Sequence, residues 1–227
     1  PEEVSRFCRP SNVHFAPATL LCMENTHNRC GGLALSPEQM KQTTDQARKY
    51  GLLVHLDGAR VFNAAAAWNI GVDVYGTLVD SVQICLSKGL GAPVGSLLCG
   101  TREFVERARF WRKRVGGGLR QAGIIAAAGL YAFKHNLSRL KEDHQNAALL
   151  ASLLAEGGIK VEQNAKPTNM VYFRVPAAET LSGRCAARGV QFNVAGPGRI
   201  RLVTHLDVSK EQAETAAKII LEEVSPS

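Results

Sequence analysis

Hydrophobic positions along this chain fall into short runs, most of them followed by a stretch with helical spacing. Ala18 to Met23, Leu52 to Leu56, Ser81 to Leu86 and Ser96 to Cys99 read as strands. Ser36-Pro37-Glu38-Gln39 reads as a helix start, because serine caps, proline suits the first helical position and Gln39 completes a capping box. That helix is predicted to reach Tyr50, with Gly51 as its stop. A short helix is predicted over Val61 to Trp68, and Thr101 caps another running toward Arg114. Leu119 to about Glu156 reads as mostly helical, with a bend near Asn136. Beyond it, Asn169 to Val175, Val190 to Val194 and Arg199 to Thr204 read as short strands. A second capping box, Ser209 with Gln212, opens a helix that sets Ala213, Ala216, Ala217, Ile220, Leu221 and Val224 on one face.

The alternation of strand and helix predicts an α/β fold with a mostly parallel sheet. The glycine pair after Glu156 marks a change of texture, so the expected domains are 1–157 and 158–227, the second a small α/β domain. No internal repeat is evident.

Composition narrows the class. The chain has 227 residues, 45% hydrophobic and 21% charged, enough for a real core. Gly123 to Phe133, its longest nearly apolar run, is too short to span a bilayer, and the N-terminal PEEVSRFCRP has no signal-peptide core. The six cysteines form no C-x-x-C pair and no zinc-type cluster, and Cys85 and Cys99 fall inside strand-like runs. Reduced thiols, no metal, no membrane partner and a cytoplasmic setting are the expectation. The net charge of +7 is densest in RARFWRKRVGGGLR, residues 107–120. Such a run is a solvated helix face or an anion site; a nucleic-acid role rests on charge alone, with no recognition motif behind it.

Three strand ends carry the candidate chemistry. Ligands of open α/β sheets bind outside the carboxyl ends of the strands. If the strands are parallel neighbours, His27, Asp57, Arg60 and Lys88 are expected to converge there, an acid–base group with a carboxylate, a guanidinium and an amine. Each has a plainer reading: Asp57 caps its turn, Arg60 pairs with it, and His27 and Lys88 are loop residues. A nucleophilic lysine needs desolvation or cationic neighbours, and the strand end beside Arg60 is expected to supply both.

ENTHN, HLDGAR, SKGLGAPVGS, GGGLRQAG and RLVTH, in that order, resemble the low-specificity L-threonine aldolases, fold-type-I enzymes that use pyridoxal 5′-phosphate (PLP). The lysine stands 31 positions after the aspartate, 57 to 88, and the resemblance runs from about residue 20 onward. It implies that Lys88 forms the Schiff base with PLP and that Asp57 pairs with the pyridine nitrogen, strengthening the electron sink. Arg60 holds the substrate carboxylate or the ring oxygen, and Arg201 grips the carboxylate by a bidentate fork. His27 lies near the substrate hydroxyl and helps remove its proton. Lys113 and Arg120 reach the cofactor phosphate of a neighbouring subunit, which implies a homodimer or homotetramer.

The implied reaction is retro-aldol cleavage of L-threonine or L-allo-threonine to glycine and acetaldehyde, a step of threonine catabolism and glycine biosynthesis. Aminotransferases and β-eliminating lyases share the fold and remain alternatives. The family's N-terminal phosphate-binding loop and its ring-stacking histidine are not found in this sequence. A partial large domain, with unpaired sheet edges and exposed apolar surface, is therefore expected, and a truncated, non-catalytic product is the other reading.

Overall fold

The computed structural model describes residues 1–8 and 13–224, which divide into two compact units. Unit 1 comprises Pro1–Thr26 and Leu35–Leu137; unit 2 comprises His27–Ala34 and the chain from Ser138 onward.

Unit 1 is built on four strands, β1 (Leu20–Glu24), β2 (Leu53–Asp57), β3 (Ser81–Cys85) and β4 (Ser96–Gly100), in the order β1-β2-β3-β4. The first three are parallel and β4 runs antiparallel to β3. The expected mostly parallel sheet is thus present. The register pairs Glu24 with Asp57 and Asp57 with Gln83, so the carboxyl ends of β1 to β3 lie side by side. Around them run α1 (Glu2–Phe7), α2 (Pro37–Lys49), α3 (Val61–Trp68), α4 (Asp73–Gly76), α5 (Arg102–Arg114) and α6 (Gly123–His135). Side chains alternate across a strand. On β2 this buries Val54 and Leu56, while Leu53 is 60% exposed and its register partner Leu20 is 50% exposed. The face that carries Leu53, His55 and Asp57 is therefore the open one.

The capped helices begin as their sequences dictate. Ser36 accepts from Gln39 N and the Gln39 side chain returns to Ser36 N; Thr101 accepts from Phe104 N. The glycines after the basic helix have a local use. Gly116 takes φ +88°, its N–H reaching Lys113 O and that of Gly117 reaching Arg112 O, which closes α5 in a Schellman turn.

Unit 2 comprises α7 (Leu140–Glu156), β5 (Met170–Arg174), α8 (Ala178–Ala187), β6 (Asn193–Gly196), β7 (Arg199–Val203) and α9 (Lys210–Val224). The strands form an antiparallel sheet in the order β5-β7-β6. Phe173, Ile200, Leu154, Ala217 and Ile220 centre its core. Ser209 and Gln212 exchange the two bonds of the second capping box.

Several expectations shift. The helix expected from Leu119 begins at Gly123, after Gln121 at φ +50°, and the expected bend is a break between His135 and Leu140. β6 lies three residues later than Val190, because Val190 N is taken by Cys185 O in closing α8. The division between compact units falls at 137/138 rather than 157, since the apolar face of α7 joins the core of unit 2. The His27–Ala34 segment also belongs to unit 2, tied there by Asn164 Nδ2 to Gly31 O, Thr168 Oγ1 to Gly32 O and Ala34 N to Lys166 O. Cys85 and Cys99 are half-buried on β3 and β4, and all six cysteines are free. No helix among the described residues is long and apolar enough to cross a membrane, and none of their His, Cys, Asp and Glu side chains cluster as a metal site would require.

Candidate active site

Asp57 ends β2, exposed, with Oδ1 accepting the Ala59 N–H at 3.0 Å. The turn is tight: Gly58 N donates to Gln83 O at 2.8 Å, and a Cβ at Gly58 lies only 2.9 Å from that oxygen. Glycine is therefore required in DGAR for close approach to β3. The bond to Ala59 fixes one carboxylate oxygen, and the other has no hydrogen bond among the described residues. Arg60 follows at the N-cap position of α3, half-buried.

Lys88 sits just past β3 on a turn whose backbone is braced on several sides. Gly91 N donates to Lys88 O, Ala92 N to Leu86 O, and Leu86 N to Gly95 O, each at 2.9 Å. Asn136, at the end of α6, holds Leu90 O at 2.7 Å. Leu86, Leu90 and Ala92 are buried anchors, whereas Ser87 and Lys88 are exposed. No hydrogen bond or ion pair engages the Lys88 ammonium among the described residues. The desolvation expected around this amine is therefore absent, since Lys88 itself is exposed. Unit 1 does set Asp57 and Lys88 at the same end of adjacent parallel strands.

Lys113 and Arg120 are exposed, one in the last turn of α5 and one before α6. No hydrogen bond or ion pair among the described residues links either to Asp57, Arg60 or Lys88. Around them Phe110, Trp111, Val115, Leu119 and Ile124 are exposed as well.

His27 and Arg201 belong to unit 2. His27 caps a 3₁₀ turn, Asn28–Cys30, by accepting the Cys30 N–H at Nδ1, 3.3 Å away. A neutral ring in this arrangement carries its proton on Nε2. Arg201 lies mid-way along β7, half-buried, with Nη1 donating to Asn28 Oδ1 at 2.8 Å. Its Nε is buried without any partner, and no carboxylate among the described residues pairs with it. Arg199 differs. It donates from Nε and Nη2 to the two Glu162 oxygens at 2.8 and 2.6 Å, and its guanidinium carbon lies 4.1 Å from the Tyr172 ring centroid. The Arg199 guanidinium holds the Glu162 carboxyl below the usual carboxylate range. Sequence reading passed over Asn28 although it ends ENTHN; only the donor–acceptor complementarity of amide oxygen and guanidinium marks it.

Unit 1 offers a solvent-facing amine and a fixed carboxylate, and unit 2 a guanidinium that no carboxylate among the described residues meets. Asp57 and Lys88 suit PLP, which needs an amine free to bond its aldehyde and a carboxylate for its ring nitrogen.

Several solved structures share this fold. The chain superposes on a Leishmania major threonine aldolase with a TM-score of 0.79, at 17% identity, over 95% of this chain and 64% of that one. A structure described as SPT with PLP matches with a TM-score of 0.76 at 20% identity, over 98% of this chain and 58% of that one. The fold is therefore that of the fold-type-I enzymes. A family model for the beta-eliminating lyases matches residues 1–176, and the chain belongs to that family. It is 48% identical over 219 residues to the low specificity L-threonine aldolase of Escherichia coli strain K12, covering 95% of this chain. The chain spans 64% of that relative's length.

Proposed function

We propose that this chain carries the catalytic core of a PLP-dependent carbon–carbon lyase that cleaves L-threonine and L-allo-threonine to glycine and acetaldehyde. The observation that carries the reading is the unengaged Lys88 amine on its braced turn, beside the strand that ends in Asp57. The identity to a named threonine aldolase supports the choice of substrate.

PLP, when bound, supplies an electron sink for the pair released from the Cα–Cβ bond. Lys88 would hold it covalently, and its amine, when free, would be placed to carry a proton. Asp57 accepts a hydrogen bond from the ring nitrogen and keeps that nitrogen protonated. Arg60 holds the ring oxygen or the substrate carboxylate. Arg201 takes the carboxylate with the donors that Asn28 leaves unused. His27 presents Nε2–H to the β-hydroxyl oxygen; taking the hydroxyl proton requires the other tautomer, which gives up the Cys30 bond.

A homodimer or homotetramer and a cytoplasmic setting belong to the same proposal. The exposed apolar side chains interleaved with Lys113 and Arg120 support protein contact there, with the two cations meeting a neighbour's phosphate. That mixture argues against a nucleic-acid surface.

The test is aldehyde release. The chain with PLP and L-threonine is expected to produce acetaldehyde, measured by coupled reduction, and Lys88→Ala to produce none. Wild-type protein that binds PLP yet releases only 2-oxobutanoate and ammonia from L-threonine contradicts the aldolase reading.

A further inference from the structure

We infer that Asn28 is a positioning residue that aims Arg201 and keeps its charge available for a substrate carboxylate. This rests on the reading of Arg201 above and extends it to a residue that contacts no reacting atom.

Asn28 is held from two sides. Tyr172, the register partner of Arg201 on β5, donates its hydroxyl to Asn28 O at 2.6 Å and lies 3.4 Å from Asn28 Oδ1. Arg201 Nη1 meets the same Oδ1 at 2.8 Å. A guanidinium only donates, so the amide must turn its oxygen toward it. One corner of the fork is thereby fixed.

The neutrality of that acceptor is the decisive feature. Two residues earlier on the same face of β7, Arg199 is met by a carboxylate and is spent on structure. A half-buried cation left without a counter-ion costs stability. An amide at position 28 holds the geometry without cancelling the charge, so the attraction remains for an anionic ligand. An aspartate there keeps the hydrogen bond and removes the attraction.

The experiment separates the two effects. Glycine binding to the PLP-loaded chain is titrated for wild type, Asn28→Asp, Asn28→Ala and Tyr172→Phe, with ethanolamine as the amine that lacks a carboxylate. Asn28→Asp is expected to weaken glycine about tenfold to hundredfold, the range of a charged hydrogen bond, and to leave ethanolamine within about twofold. Asn28→Ala and Tyr172→Phe are expected to weaken glycine severalfold. In protein without PLP, nitrogen NMR of Arg201 is expected to show restricted guanidinium rotation, lost in Asn28→Ala and kept in Asn28→Asp. Wild-type glycine affinity in Asn28→Asp overturns the inference alone, because a purely structural hydrogen bond survives that change. Failure of wild type to prefer glycine over ethanolamine overturns both this inference and the carboxylate role of Arg201. If Asn28→Ala does not fold, Asn28→Asp, which keeps the acceptor, decides.

Discussion

Arg199 and Arg201 occupy one face of β7, two positions apart, and the chain treats them in opposite ways. Arg199 has both oxygens of Glu162, the Tyr172 ring and the Arg29 carbonyl, reached by Nη1 at 3.0 Å. Arg201 has one amide oxygen and a buried Nε with nothing opposite it. The proposed carboxylate role of Arg201 rests on that contrast: one guanidinium is fully paired, and the other has donors to spare. The same contrast exists within unit 1. Arg48 is tied to Leu78 O, and Lys41 and Lys49 reach Asp45 and Gln46, whereas no hydrogen bond or ion pair among the described residues engages Lys88.

The sharpest way to break the comparison is to remove each arginine. Arg201→Ala is expected to weaken glycine or threonine binding about a hundredfold, with the melting temperature little changed, as a titration and a thermal melt would show. Arg199→Ala is expected to do the reverse. It strands Glu162 beside Arg174 alone and lowers stability by about 2 kcal/mol in a denaturant melt, with glycine affinity less affected.

The proposed oligomer gives the next largest effect. Ile124→Glu, at a position 82% exposed, is expected to shift the assembly to a smaller species on size-exclusion chromatography while each subunit keeps its circular dichroism.

Acid stability then distinguishes buried from paired groups. Burial lowers the His144 pKa to about 4 from 6.5, so the folded state resists the proton that the unfolded chain accepts. Its contribution is complete above about 6.5 and fades as pH falls toward 4. His144→Gln is expected to flatten stability across that window. Glu162 acts lower, because hydrogen bonding to Arg199 depresses its pKa; its contribution is full above the ordinary carboxylate value and is lost as pH falls through the depressed one. Glu162→Gln is expected to erase that acid limb. The smallest change is Ser36→Ala, which removes one capping bond and costs about 1 kcal/mol with no effect on binding.

Much of this was legible from the residues. Capping boxes at Ser36 and Ser209 gave two helices their starts, because a side chain and a backbone N–H three residues apart decide the matter locally. The order ENTHN, DGAR, SKG and RLVTH marked Asp57, Lys88 and Arg201. What local pattern misses is long-range. α8 has small residues and no side-chain cap, so only its burial of Ala178, Leu181 and Cys185 in the core of unit 2 defines it. The helix-closing use of Gly116 and Gly117 was not read from the basic run that precedes them. The division at 137/138 depends on where the faces of α7 pack, which residue order does not reveal. Asn28 stands far from Arg201 in sequence, and no spacing rule connects them.

The central claim is that Lys88 is the reactive amine. The most direct measurement adds PLP to the purified chain, reduces with borohydride and maps the modified lysine by peptide mass spectrometry. The account predicts labelling confined to Lys88, lost in Lys88→Ala and kept in Lys49→Ala. Labelling scattered over exposed lysines, or an adduct that survives Lys88→Ala, would contradict it.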